Sequence, residues 1–286
     1  CGRGLDIRGW NEMNSFNGPI WTLTFEYIGN ILYALVFRHL PTVILCILCA
    51  GTAVFTLDFT LGWDLFNMLP NGPQYHVKGG WCLDPAQIYL GFTRLLYPFL
   101  CGLIISRILP KQRTADNPSG SPIHLKGGFI WTSLILITIL SIPCIGGTDG
   151  FANGLYQAIM ILAAFPVIVL MGAGSTIQNP AVAKVCKFLG DISYPIYITH
   201  YPLIYMHMGF VAEHPDAPTW IHVASGVGVF FFAIILAWGV FKAFDEPARQ
   251  WLTDHWLKGE RKLPMWLKVT AGLLVATAAA LIIFKP

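Results

Sequence analysis

Charge is what this sequence has least of. Only 12% of its 286 residues are charged, against 55% hydrophobic residues and a mean hydropathy of +0.59, whereas soluble chains carry roughly 25% charged residues. That excludes an ordinary soluble domain and leaves an integral membrane protein. The net charge is +3, with basic residues spread among loops instead of gathered on one face, so no nucleic-acid partner is expected. Residues 1–15 lack the basic start, short apolar core and small-residue cleavage site of a signal peptide.

Signatures of familiar chemistry are also missing. No HExxH, no GxSxG elbow, no phosphate-binding glycine loop and no dinucleotide fingerprint occurs. The eight histidines form no metal-ligand pattern, so neither a metal site nor a permanently bound cofactor is expected. Seven cysteines are scattered without a disulfide framework. Cys46-Ile-Leu-Cys49 has redox-motif spacing, but it sits among Leu and Ile with no second Cys/His pair and reads as helix packing. No internal repeat occurs, which removes the inverted halves common in secondary transporters.

What the chain has instead is apolar length. Runs near 20–37, 42–57, 86–106, 128–145, 154–172, 187–210, 219–241 and 265–284 approach the roughly 20 residues that span a bilayer. They predict an all-α, polytopic transmembrane bundle of about eight helices. A single membrane domain is expected over 1–286, with 1–15 an extracytoplasmic loop and 16–284 the bundle. The polar start at Cys1, without Met, reads as a loop, so an N-terminally incomplete chain is expected.

Loop charge predicts the orientation. Arg38, the group Arg107, Lys111, Arg113 and Lys126, the pair Lys184 and Lys187, and the last cluster from Lys242 to Lys262 follow alternate helices. The positive-inside rule makes those loops cytoplasmic. The intervening loops hold Lys78 with acids at Asp58, Asp64, Asp84, Asp149, Glu213 and Asp216. The loop 58–85 is then an extracytoplasmic element, either contributing to an acceptor site or packed over the helix ends. Residues 110–122 read as a mobile cytoplasmic connection, and Arg107, Lys111 and Arg113 read as topological charges in preference to a phosphate site.

Within 20–37 the one acidic or basic side chain is Glu26, and a charge near the middle of a membrane helix costs about 2.5 to 3.5 kcal/mol even on gentle scales. At the helical rise Glu26 lies roughly 10 Å, Arg94 about 13 Å and His200 about 15 Å inside the outer helix ends. Three ionisable groups at one depth suggest a polar cavity, with Arg94 beside Glu26; a structural network fixing helix register is the bland alternative. Tyr194, Tyr197, Tyr201 and Tyr205 fall on one helical face, where packing competes with ligand binding, and Pro195 and Pro202 are expected to bend that helix.

Two blocks carry a resemblance. Asn17-Gly18-Pro19-Ile20-Trp21-Thr22-Leu23-Thr24-Phe25-Glu26 and Ser193-Tyr194-Pro195-Ile196-Tyr197-Ile198-Thr199-His200-Tyr201-Pro202 are similar to signatures of the acyltransferase-3 family of polytopic membrane O-acyltransferases. Glu246-Pro247-Ala248-Arg249 adds a weaker third match. The resemblance implies acyl-CoA, usually acetyl-CoA, as donor and a carbohydrate acceptor such as an exopolysaccharide or another cell-envelope glycan, in the inner membrane of a bacterium. Together with the depth and face arguments it makes Glu26, matching the family's signature glutamate, His200 and Arg94 the candidate catalytic residues, and Asn17, Trp21, Tyr194, Tyr197 and Tyr201 the candidate substrate contacts. The family's early histidine, treated as the base, and its Arg-x-x-Arg pair have no counterpart before residue 16; His200 could substitute as base, but the family carries a histidine there in addition to the early one, which favours a supporting role. The alternatives are a transporter or channel for a small polar solute, and an inactive, truncated acyltransferase.

Overall fold

The computed structural model describes residues 12–68, 74–109, 128–147, 150–175, 177 and 179–254. Among them every regular element is helical: α1 (Trp21–Leu35), α2 (Thr42–Leu61), α3 (Pro85–Ile108), α4 (Gly128–Ser141), α5 (Phe151–Ile159), α6 (Phe165–Ala173), α7 (Pro180–Glu213), α8 (Thr219–Val240) and α9 (Glu246–Leu252), with short turns and bulges between. Five continuous helices, Gly18–His39, Thr42–Leu61, Pro85–Ile108, Phe151–Ala173 and Thr219–Leu252, are long and apolar enough to cross a membrane. The chain is a membrane protein. The expected helix at 265–284 and the expected mobile segment 110–122 lie outside the described residues.

Two helix pairs are each joined by a π-helical segment, and sequence explains both. Met160–Ala164 links α5 to α6 and Phe241–Asp245 links α8 to α9. Each runs into a proline, Pro166 or Pro247, one residue beyond the next helix start. Proline has no N–H and its ring presses on the carbonyl four residues back. The turn before it widens, so Phe165 N–H reaches Met160 O and Glu246 N–H reaches Phe241 O.

The described residues fall into two compact units, one drawn from Thr22–Gln178 and the other from Cys1–Trp21 with Asn179–Thr277. In the first, α2 packs on α3 and α5 around Phe37, Leu45, Cys49, Tyr97 and Leu100. Small residues set the closest approaches. A side chain at Gly91 would run into the Phe25 ring, and one at Gly154 into the Thr60 carbonyl. Arg107 ties the other end: its Nη1 donates to Leu40 O at 2.6 Å and its Nη2 to Phe37 O at 3.1 Å. That bonding supports reading Arg107 as part of the scaffold.

The loop expected over 58–85 begins later, because α2 continues through Asp58 to Leu61 and ends where Gly62 takes φ 66°. Asp58 is 1% exposed. Its Oδ1 accepts from Leu65 N at 2.8 Å and its Oδ2 from Tyr89 Oη at 2.8 Å, which satisfies a charge that would be costly to bury unpaired. α3 starts where Asp84 caps it, Oδ1 accepting from Gln87 N at 3.1 Å, with Pro85 in the first turn. The described part of the loop is pinned to these helix ends: Val77 N donates to Gln157 Oε1 at 3.0 Å and Gly80 N to Gln87 Oε1 at 2.5 Å.

In the second unit α7 packs along α8 and touches the short turn Gly18–Ile20. α7 starts at Pro180, earlier than its apolar run, because Asn179 caps it: Oδ1 accepts from Ala181 N at 2.9 Å.

Candidate functional site

The two sequence blocks meet in the second unit. α7 is continuous through Pro195 and Pro202, and Pro202 lacks the N–H that would bond the carbonyl four residues back, Ile198 O. Asn17 supplies the missing donor, its Nδ2 lying 2.5 Å from Ile198 O. Asn17 is 5% exposed, and its Oδ1 is buried without a donor among the described residues. Tyr197, the residue before Ile198, donates its Oη to Pro19 O at 2.6 Å. The motif around Asn17 is thereby locked to the motif around His200 by two hydrogen bonds that each end on a backbone carbonyl.

His200 is half-buried beside that lock. Its Nδ1 lies 2.8 Å from Ile196 O and 3.1 Å from Tyr197 O. Both partners only accept, so Nδ1 carries the hydrogen, and in the neutral imidazole Nε2 is the basic nitrogen. The ring stands edge-to-face on Tyr201 at 5.7 Å, and Tyr201 stands likewise on Tyr205 at 4.7 Å. The tyrosine stripe is thus a packed ladder around the imidazole, with Tyr194 at its exposed end. Trp21, buried at the start of α1, donates its backbone N–H to Gly18 O and Pro19 O.

Glu26 and Arg94 belong to the first unit. Phe25 packs edge-to-face on Phe92 at 5.4 Å, and a side chain at Gly29 would stand 2.9 Å from Leu95. This contact turns Phe25 and Gly29 toward α3 and leaves Glu26 exposed on another face of α1. The expected Glu26–Arg94 ion pair does not form: the Glu26 carboxylate makes no ion pair or side-chain hydrogen bond with a described residue. Similar depth did not imply a shared face. Arg94 points elsewhere, its Nη1 3.5 Å from Gly79 O.

Arg94 also lines a cavity of about 330 Å³ between α2, α3 and the α5–α6 segment. Thr56, Thr93, Arg94 and Gln157 stand in its wall with Val77 of the pinned loop, and Pro98, Cys101, Gly102, Ile105, Ile161, Phe165, Pro166 and Val169 continue it. Both helix irregularities of this unit border it, the proline inside α3 and the π segment ahead of Pro166. Pro166 leaves Leu162 O without its helical donor, and Tyr97 Oη takes that carbonyl at 2.7 Å. Sequence reasoning passed over Asp58, Tyr89, Tyr97 and Gln157; the prolines were the signal for Tyr97, and nothing local marked the others.

The weaker third block forms two separate helical pairs, Lys242–Glu246 at 2.7 Å and Asp245–Arg249 at 2.7 Å. Exposed pairs of this kind contribute about 0.3–0.5 kcal/mol each. Among the described residues no cluster of His, Cys, Asp or Glu can hold a metal ion.

Comparison with known proteins accounts for the paired blocks. The profile of the acyltransferase-3 family, described as an acyltransferase domain, matches residues 4–241. The chain belongs to the acyltransferase-3 family. A curated relative, YrhL of Bacillus subtilis (strain 168), named as a candidate peptidoglycan O-acetyltransferase, is 27% identical over 125 residues. The match covers 42% of this chain and 19% of that relative's length. No solved structure matches the chain. In this acyltransferase-3 chain, the lock between Asn17 and Ile198 joins the two segments by which the family was legible.

Proposed function

We propose that the protein is a membrane O-acyltransferase moving an acyl group, acetyl in the simplest case, from acyl-CoA to a hydroxyl of a carbohydrate or cell-envelope glycan. Family membership supports the reaction type, and the likeness to YrhL supports a glycan acceptor. The observation that carries the reading is the lock of Asn17 and Tyr197, which joins the two blocks that resemble the family's signatures. Inner-membrane placement in a bacterium, with the loop 62–84 outside, agrees with the loop charges.

The chemistry asks little of the protein beyond placement. A base takes the proton of the acceptor hydroxyl, the oxygen attacks the thioester carbonyl, and the intermediate collapses with loss of the CoA thiol, which leaves with a proton. Glu26, an acid otherwise unexplained in an apolar helix, is assigned to proton handling, and His200 to a supporting role within its own family block. Arg94 is assigned to charge stabilisation. Radiolabelled acetyl-CoA given to inverted membrane vesicles that contain the protein should yield alkali-labile label on glycan. Vesicles that bind the label but form no ester would overturn the assignment.

A further inference from the structure

We propose that the start of α7 and the end of α8 form a headgroup site for one anionic phospholipid of the cytoplasmic leaflet. Lys184, Lys187 and Lys242 hold its phosphate, and Phe188 and Trp238 meet the beginning of its acyl chains. The inference does not depend on acyl transfer; it takes only the cytoplasmic placement of these helix ends, which the loop charges support.

The residues line one concavity of about 210 Å³ between the two helices. On α7, Lys184, Lys187, Phe188 and Asp191 recur at three- and four-residue steps and so share a face, as Trp238 and Lys242 do on α8 and the π segment after it. Ile192 and Phe241 are buried behind them.

The level is that of a headgroup. From Ile192 to Ala212 on α7 and from Thr219 to Phe241 on α8 there is no acidic or basic residue, so charge begins on both helices, at Asp191 and at Lys242, where the apolar surface stops. Trp238 stands at that border, the depth that interfacial tryptophans favour. Phe188, Trp238 and, one turn deeper, Ile235 are exposed, and they carry apolar surface from the lysines toward the bilayer interior.

Charge selects the ligand. Lys187 Nζ lies 2.6 Å from Asp191 Oδ2 and Lys242 Nζ 2.7 Å from Glu246 Oε2, which offsets two of the three positive charges yet engages only one of each ammonium's three hydrogens. Lys184 is exposed and makes no ion pair with a described residue, so the site keeps an excess positive charge. A phosphodiester brings one negative charge and several acceptor oxygens, and basic pockets between membrane helices on the cytoplasmic side hold such headgroups. Asp191 Oδ1 accepts no hydrogen bond from a described residue, which favours a headgroup with hydroxyls to donate, such as that of phosphatidylglycerol. The phosphates of CoA fit less well. The concavity is smaller than the roughly 300–1,000 Å³ of whole-ligand sites, and His200 follows Asp191 by about two and a half turns of α7, which turns it to the opposite side of that helix.

The test is photolabelling of the full chain in phosphatidylcholine nanodiscs, which leave both leaflets accessible, so that the direction of insertion does not enter. The probe is phosphatidylglycerol with a diazirine near the start of one acyl chain, and labelled peptides are mapped by mass spectrometry. Label is expected on residues 188–192 and 235–242, competed by unlabelled phosphatidylglycerol and not by inorganic phosphate or CoA. Lys184→Gln should reduce it roughly fivefold, the share that one basic residue contributes to attraction by anionic lipid. Glutamine at Lys184, Lys187 and Lys242 together should abolish it, and arginine at the same three positions should retain it. Variants are compared at matched size-exclusion elution, and Lys184→Gln alone, at an exposed position, decides the matter if the triple variant misfolds. Label elsewhere, equal label from a phosphatidylcholine probe, or label indifferent to Lys184→Gln overturns the inference. Displacement of the label by CoA would overturn it too, by giving the pocket to the donor's phosphates.

Discussion

Asn17 Nδ2 donates to Ile198 O at 2.5 Å, the carbonyl that Pro202 deprives of its helical N–H. The proline creates a vacancy in the α7 hydrogen-bond ladder, and the asparagine of the other family block occupies it.

Removing the donor should therefore cost more than an ordinary polar deletion. Asn17→Ala leaves a part-buried carbonyl unsatisfied, and a loss of about 1 kcal/mol or more is expected. Pro202→Ala restores an N–H to the ladder, so the loss from Asn17→Ala should shrink in that background. Thermal denaturation of the four proteins in detergent measures the coupling; strictly additive losses would mean that Asn17 does not serve the vacancy.

The two glycines that border empty space and backbone should behave oppositely. A side chain at Gly154 meets the Thr60 carbonyl, a backbone atom that cannot step aside, whereas one at Gly102 meets nothing. Gly154→Ala should lose folded protein, with more than about 3 kcal/mol of destabilisation from the α2–α5 contact. Gly102→Ala should hold or slightly raise the melting temperature, as Ala is favoured over Gly inside a helix by about 1 kcal/mol. Size-exclusion recovery and melting temperature decide both.

Tyr97→Phe should weaken the π segment by freeing Leu162 O, again by about 1–3 kcal/mol. Hydrogen exchange offers a local readout: amides of Met160–Phe165 should exchange faster in the variant, while those of α8 should not change. Equal protection of Met160–Phe165 in both proteins would show that the hydroxyl is dispensable.

Orientation is testable at two exposed described positions, Lys78 and His39. In a cysteine-free background, a cysteine replacing Lys78 should react with impermeant maleimide in intact cells, and one replacing His39 should react only after permeabilisation. The reverse pattern would invert the topology.

Most of the bundle was legible because apolar runs long enough to span a bilayer have few other uses. The ends were less so. Asp58 reads as a loop residue by charge, yet Tyr89 and Leu65 N satisfy it inside α2, and no local pattern announces partners 31 and 7 residues away. The start of α7 was readable, since Asn179-Pro180 is a capping pair. At the site, the family blocks were legible and their mutual lock was not, because both acceptors are backbone carbonyls. Depth along a helix placed Glu26 and Arg94 at similar levels, but rotation about the helix axis is set by contacts such as Phe25 on Gly91, which sequence spacing does not encode.

Glu26 is the lone acid of α1. Ester-linked acyl groups released by mild alkali from purified envelope glycan should be measured in cells expressing the wild-type protein, Glu26→Gln, or an empty vector, with membrane abundance matched. A wild-type level clearly above the vector and a Glu26→Gln level equal to the vector are expected. A Glu26→Gln level equal to wild type would contradict the assignment of Glu26 to proton handling.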